Sequence, residues 1–376
     1  MAARVGSVPA VLLALLCAPA PAAPAAGPPS LAVLPFGARG APPHAWSGIW
    51  PLLHEELRAR GYEVAGPDAV DAALKARRLR DTSLLTLEEL RGLASALGVE
   101  RFLLGFTYRY DDGPSAAVSL SARILDPDRL GIERMEVAVV EGRDLLGPMG
   151  TGPPATRERA AREAVRRIVA GLGGDGAGGG ADGGGLARAS ALAPDPAFYL
   201  AARLPGAGIR RVAVLPFRNP SGRSGAGQAA ADLVAWRLIR SGLVSVVDAG
   251  DAARRLLARG WRTGSPVGRA EVLALGSDLG VDAVVMGSVE RWIEADAAGT
   301  RPPEVAISAR LLDARDGGIL WAADHERRGD QTRIVYDVGN VRLAEVLMAR
   351  AASEALAPLL GALEAASLNG TGGTSR

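Results

Sequence analysis

Few residues in this chain have both the type and the spacing to do chemistry. His44, His54 and His325 are its three histidines, and no two sit at a spacing that would place them on one metal. Packing or surface roles are expected for all three. Ser288 lies in Gly287-Ser288-Val289, inside an expected strand, and lacks the Gly-x-Ser-x-Gly spacing of a nucleophile elbow. The sharpest motif is Gly225-Ala226-Gly227-Gln228-Ala229-Ala230, which matches a dinucleotide-binding fingerprint, with Asp248 lying 21 residues past Gly227. Yet seven residues separate Phe217 from Gly225, whereas the fingerprint wants its first glycine at the strand end. A loop with a permissive helix start is expected there. No catalytic residue, metal site or cofactor is therefore expected, and binding is the activity left open.

Two charged pairs stand out because the chain repeats them, Arg123 with Asp126 and Arg310 with Asp313. Three residues apart on a strand, the members of a pair point to opposite faces, so a bridge within the strand is not expected. The aspartates read as turn residues that accept backbone hydrogen bonds. The arginines are candidates for a partner surface. Trp261, Trp292 and Trp321 read as core fillers by default, and Trp321, on the last strand, is the candidate for an exposed anchor.

The elements that carry these residues come in two copies. Leu34-Pro35-Phe36 recurs as Leu215-Pro216-Phe217, 181 residues later. Leu97-Gly98-Val99 recurs as Leu279-Gly280-Val281, and Ser121 to Asp126 recurs as Ser308 to Asp313, in the same order. So long a period describes two whole domains rather than a solenoid. In each copy an apolar strand leads into an amphipathic helix, a short strand (Tyr62 to Ala65 in the first copy) and two further helices. Thr86 and Glu89 form a capping box for one of these. Pro51 suggests that the first helix becomes regular only there.

The apolar period then changes from 3.6 to 2, giving three strands with short connections, hence an antiparallel meander, and a closing helix. The fold class expected is α/β with α+β character, two tandem units of mixed sheet and flanking helices. In the middle strands one parity is apolar, and the other carries Ser119, Ser121 and Arg123, or Ala306, Ser308 and Arg310. That pattern predicts helices on one face and a wetter opposite face in each unit.

The expected boundaries are a signal peptide over 1–26, a first repeat over 27–172, a glycine-rich linker over 173–204, a second repeat over 205–366 and a tail over 367–376. Arg4, the apolar run Val8 to Cys17 and the small residues after it have the three regions of a secretory signal, with Ala22 or Ala25 as cleavage points. Cys17, the single cysteine, excludes an intramolecular disulfide and is a candidate lipidation site. Leu16 before it departs from the small residue such signals carry, which leaves loss of the cysteine with the signal as the other reading. The 43 basic residues are nearly balanced by 41 acidic ones, so no nucleic-acid footprint is present. A flexible linker predicts two units of independent stability, with residues 205–376 folding alone and the main partner surface near Arg310 and Trp321.

The ordered set Val212 to Phe217, Val246-Val247-Asp248, Leu279 to Val289 and Ala309 to Ala314 with Gly317 resembles a group of bacterial envelope domains. That group includes the TolB amino-terminal domain, CsgG and LpoB. The resemblance covers most of residues 210–326 and, more weakly, 30–140. It implies a non-catalytic, exported protein of the periplasm or outer membrane that binds other envelope proteins as a scaffold or regulator of assembly or secretion. The long hairpin insertions by which CsgG lines a pore are missing, so no pore is expected. A small-ligand or nucleotide-binding periplasmic protein is the alternative, and the sequence leaves the oligomeric state open.

Overall fold

The computed structural model describes residues 30–42, 44–82, 85–112, 116–129, 131–146, 151, 155–174, 195–261, 267–296, 300–332 and 340–371. The expected signal peptide with Cys17, most of the glycine-rich linker and the last five residues lie outside them.

The first repeat runs β1 (Leu31–Val33), β2 (Gly37–Ala38), α1 (Ala45–Ala59), α2 (Pro67–Ala76), α3 (Leu87–Leu97), β3 (Arg101–Asp111), β4 (Ala117–Leu125), β5 (Ile132–Glu141) and α4 (Arg157–Leu172). Next come β6 (Ala197–Leu200), β7 (Arg211–Val214), α5 (Ala226–Ser241), β8 (Ser245–Val247), α6 (Ala249–Ala258) and α7 (Arg269–Leu279). The chain closes with β9 (Ala283–Ile293), β10 (Glu304–Asp313), β11 (Ile319–Arg328) and α8 (Ala344–Thr371).

Local chemistry accounts for the element ends. Thr86 and Glu89 make the reciprocal capping box at the start of α3, and Gly98 ends it in the left-handed conformation. Asp126 and Asp313 each accept a backbone N–H two residues on, as turn aspartates do. Asp282 accepts from the N–H groups of Arg210 and Arg211, fixing the entry to β7. Three expectations need correcting. Helix α1 starts at Ala45 and carries Pro51 inside it, its ring on the exposed side, where the unpaired carbonyl four residues back can meet water. The strand expected at Tyr62 to Ala65 reduces to one bridge between Leu31 and Val64. Residues 197–200, read as linker, form β6.

Both sheets are mixed. The first has the order β1-β3-β4-β5, with β2 also beside β3, and the second has β6-β11-β10-β9-β7-β8. In each, the opening strand runs parallel to the first meander strand, and the meander is antiparallel. Helices α1 and α4 cover one face of the first sheet through Ile49, Leu53, Val165 and Ile168, while α2 and α3 cover the opposite face at the β1 end. The second sheet repeats this with α5 and α8 on one face and α6 and α7 on the other. Helix α8 is long and apolar enough to cross a membrane on length and composition, but its apolar side is packed against the second sheet.

The halves are not separate cores. Phe106, Tyr108, Met135 and Val137 of the first sheet belong to the same buried cluster as Val214, Ala231 and Trp236 of the second half. Helix α5 is thus sandwiched between the two sheets. From Ala226 to Leu238 every residue except Gln228 and Arg237 is buried, as a helix with two covered sides requires. The wet face expected on the first sheet is therefore an inner layer, with Ser119, Ser121 and Arg123 all buried.

Candidate functional site

Arg123 stands at the seam between the halves. It is 4% exposed, and its guanidinium pairs with the carboxylate of Asp248 across the seam. The other Asp248 oxygen accepts the Gly250 N–H at 2.8 Å and caps α6. Beside it, Asp232 of α5 is held by three donors. Tyr108 and Ser121 hydroxyls each reach Oδ2 at 2.5 Å, and the Gln228 amide reaches Oδ1 at 2.8 Å. Burial raises the Asp232 carboxyl above its ordinary range against the pull of Arg123 and these donors, and burial raises Tyr108 further still. Arg109 closes the far end of the seam, reaching Glu345 at 2.8 Å and Glu294 at 2.5 Å. The Trp236 indole N–H donates to Glu136 at 3.2 Å. This network fixes the register of two packed layers. Asp232 is buried among groups that offer it no substrate space.

The glycine fingerprint is explained by the same packing. A Cβ on Gly227 would lie 2.2 Å from the Phe217 carbonyl oxygen, and one on Gly225 would lie 2.2 Å from the Arg39 carbonyl oxygen. Gly225 also adopts φ +78°, which favours glycine. Both glycines serve contacts within the chain, and Asp248, the matching acid, is committed to Arg123. A cleft of about 240 Å³ flanks them, lined by Arg39, Phe106, Arg123, Asn219 and Gln228 among others. Among the described residues no group of three His, Cys, Asp or Glu side chains is placed to hold a metal ion. His54 packs against Trp50 at 4.3 Å, and burial, then Arg58, push its pKa down to about 4.

Trp321 is 0% exposed and packs into the core shared with α8, so it is not a surface anchor. Its parity on β11 turns it to the helix side, because Leu311, its partner on β10, is also buried. Arg310 is exposed on the opposite face of the second sheet. It shares a row with Met286 on β9, Ala322 on β11 and Tyr199 on β6. Tyr199 and Phe198, on this edge strand, are each 54% exposed. Sequence reasoning missed them because Pro194, Pro196 and the preceding glycines read as linker. It also missed Asp232 and Trp236, although a helix apolar on nearly all sides signals burial on both.

No protein-family model matches the chain, and no curated protein matches it. Several solved structures of bacterial proteins resemble part of it. The PelC dodecamer from Paraburkholderia phytofirmans is 19% identical, covering 44% of this chain and 96% of its own, with a TM-score of 0.32. Lipoprotein GNA1162 from Neisseria meningitidis is 20% identical over 44% of this chain and 99% of its own, at 0.29. The LpoB C-terminal domain from Escherichia coli is 17% identical over 31% and 81%, at 0.24. Of the three proteins in the sequence resemblance, LpoB is thus among these structures. At such identities and scores the likeness carries no argument about function.

Proposed function

We propose that this is a non-catalytic protein of the bacterial envelope, exported to the periplasm or the periplasmic face of the outer membrane. It binds other envelope proteins, as a scaffold or regulator of assembly or secretion, through the open face and β6 edge of its second sheet. The observation that carries this reading is the pair of half-exposed aromatics, Phe198 and Tyr199, on the edge strand β6, with Tyr199 in the same row of the sheet as exposed Arg310. An edge strand offers unpaired backbone groups, and aromatics with arginine are the side chains that anchor protein interfaces. The export signal read from residues 1–26 supports the location.

Co-purification from the native envelope tests the proposal. Tyr199→Ser with Phe198→Ser is expected to remove partners that the parent chain retains, at unchanged thermal stability. Recovery of the protein unprocessed in the cytosol, or partner binding indifferent to both changes, would overturn it. The competing reading places a nucleotide or metabolite in the cleft beside Gly225 and Gly227. The commitment of Arg123 to Asp248 and the close packing of both glycines weigh against it. Thermal-shift screening with nucleotides decides, and a stabilisation lost in Gln228→Ala would favour the cleft.

A further inference from the structure

The covered face of the first sheet is an internal example of what the open face of the second can hold. In the first sheet Ser121 sits between Phe106 and Val137, and Arg123 between Leu104 and Met135. In the second, Ser308 sits between Ser288 and Asp324, and Arg310 between Met286 and Ala322. Ser308 and Arg310 therefore occupy the register positions of Ser121 and Arg123. In the first sheet both residues are used by carboxylates arriving from another layer, Asp232 on α5 for the serine and Asp248 for the arginine. In the second sheet neither has such a partner among the described residues. Arg218, bridged to Ser288 at the end of the same row, adds a second exposed cation without an ion pair among them. Ser288 itself is buried with its hydroxyl unpartnered.

We infer that the open face of the second sheet binds an α-helix of another envelope protein, one that presents an Asp or Glu to Arg218, Ser308 and Arg310. This rests on the protein-binding role proposed above and specifies the partner. The apolar floor of the first sheet is replaced here by Ser288 for Phe106 and Asp324 for Val137, so the interface is wetter and the helix exchangeable rather than permanent. Asp324 has no ion pair among the described residues, and it calls for a Lys or Arg on the same helix. The approach needs small side chains beside the acid, as Ala231 and Ala235 flank Asp232 within α5. Neither α5 nor its counterpart in a second copy of this chain supplies such a helix. In that copy α5 is buried in its own seam, and α1, the counterpart of α5 in the repeat, carries Pro51 where α5 carries Asp232.

The test uses the full chain in its native envelope with a photocrosslinking residue at Ser308, at Arg310 in a second variant and at Tyr199 in a third, with circular dichroism to check folding. Mass spectrometry of the adducts is expected to find, from 308 and 310, a helical segment of a different protein with an Asp or Glu within two turns. Arg310→Glu should cut the adduct from 308 at least tenfold, and exchanging the partner's acid for Arg should restore it. Adducts on an extended segment, on lipid or on a second copy overturn the inference. Protein adducts from 199 with none from 308 and 310 overturn it while the protein-binding role stands. No protein adduct from any position overturns both.

Discussion

Arg123→Met is the most informative single change at the seam. The methionine keeps much of the side-chain volume and removes the cation, leaving the Asp248 carboxylate buried with the Gly250 N–H as its remaining donor. Removing one member of a buried ion pair costs about 3–5 kcal/mol, and the surviving cap places this case near ~3. Because Arg123 and Asp248 come from different halves, the loss should fall on the shared core. Urea unfolding of the full chain reads it as a lower midpoint, with the transition splitting as the seam loosens. Adding Asp248→Asn should cost less than the two single changes summed, with a coupling of about 1–3 kcal/mol. A loss below about 1 kcal/mol in Arg123→Met, with one unchanged transition, would refute the assignment of the pair to the stability of the seam.

Three further outcomes are expected. His54 is held neutral by burial with a pKa of about 4 against 6.5 unfolded, so the unfolded chain binds the extra proton between those values. Stability should therefore fall as pH drops from 7 towards 4, and His54→Phe should flatten that slope in pH-dependent melts. Gly227→Val drives a branched side chain into the Phe217 carbonyl and should destabilise the full chain by about 1–3 kcal/mol in the absence of any nucleotide, measured by denaturant titration. Trp321→Ala should cost about 3–5 kcal/mol in the same assay, whereas Arg310→Glu, on an exposed face, should stay within about 0.5.

The repeat, the α/β class and the antiparallel meanders were legible because strand patterns and turn residues are local signals. The alternation of Val118, Leu120, Ala122 and Ile124 identified which side of β4 meets α1 and α4. The fate of the opposite side was not local. Ser119, Ser121 and Arg123 have the composition of a solvated face, and the acids that receive Ser121 and Arg123, Asp232 and Asp248, lie more than a hundred residues away in the chain. The sign was present in α5, where alanines surround Trp236 and one aspartate with scarcely a polar side. Trp321 misled for a related reason, since an indole near a sheet edge has the same sequence whether it faces water or a helix.

The position of α5 between the sheets sets an order of events for a chain that emerges N-terminus first. The first sheet can be assembled once β5 exists, but its Phe106, Met135 and Val137 side has no cover until residue 241 has appeared. The contacts that then form are distant in sequence, 124 residues for Tyr108 with Asp232 and 236 for Arg109 with Glu345. Such pairings form slowly and leave apolar surface open in the interval. During synthesis the first half thus presents a sticky half-finished surface, and the second half acts as its built-in chaperone.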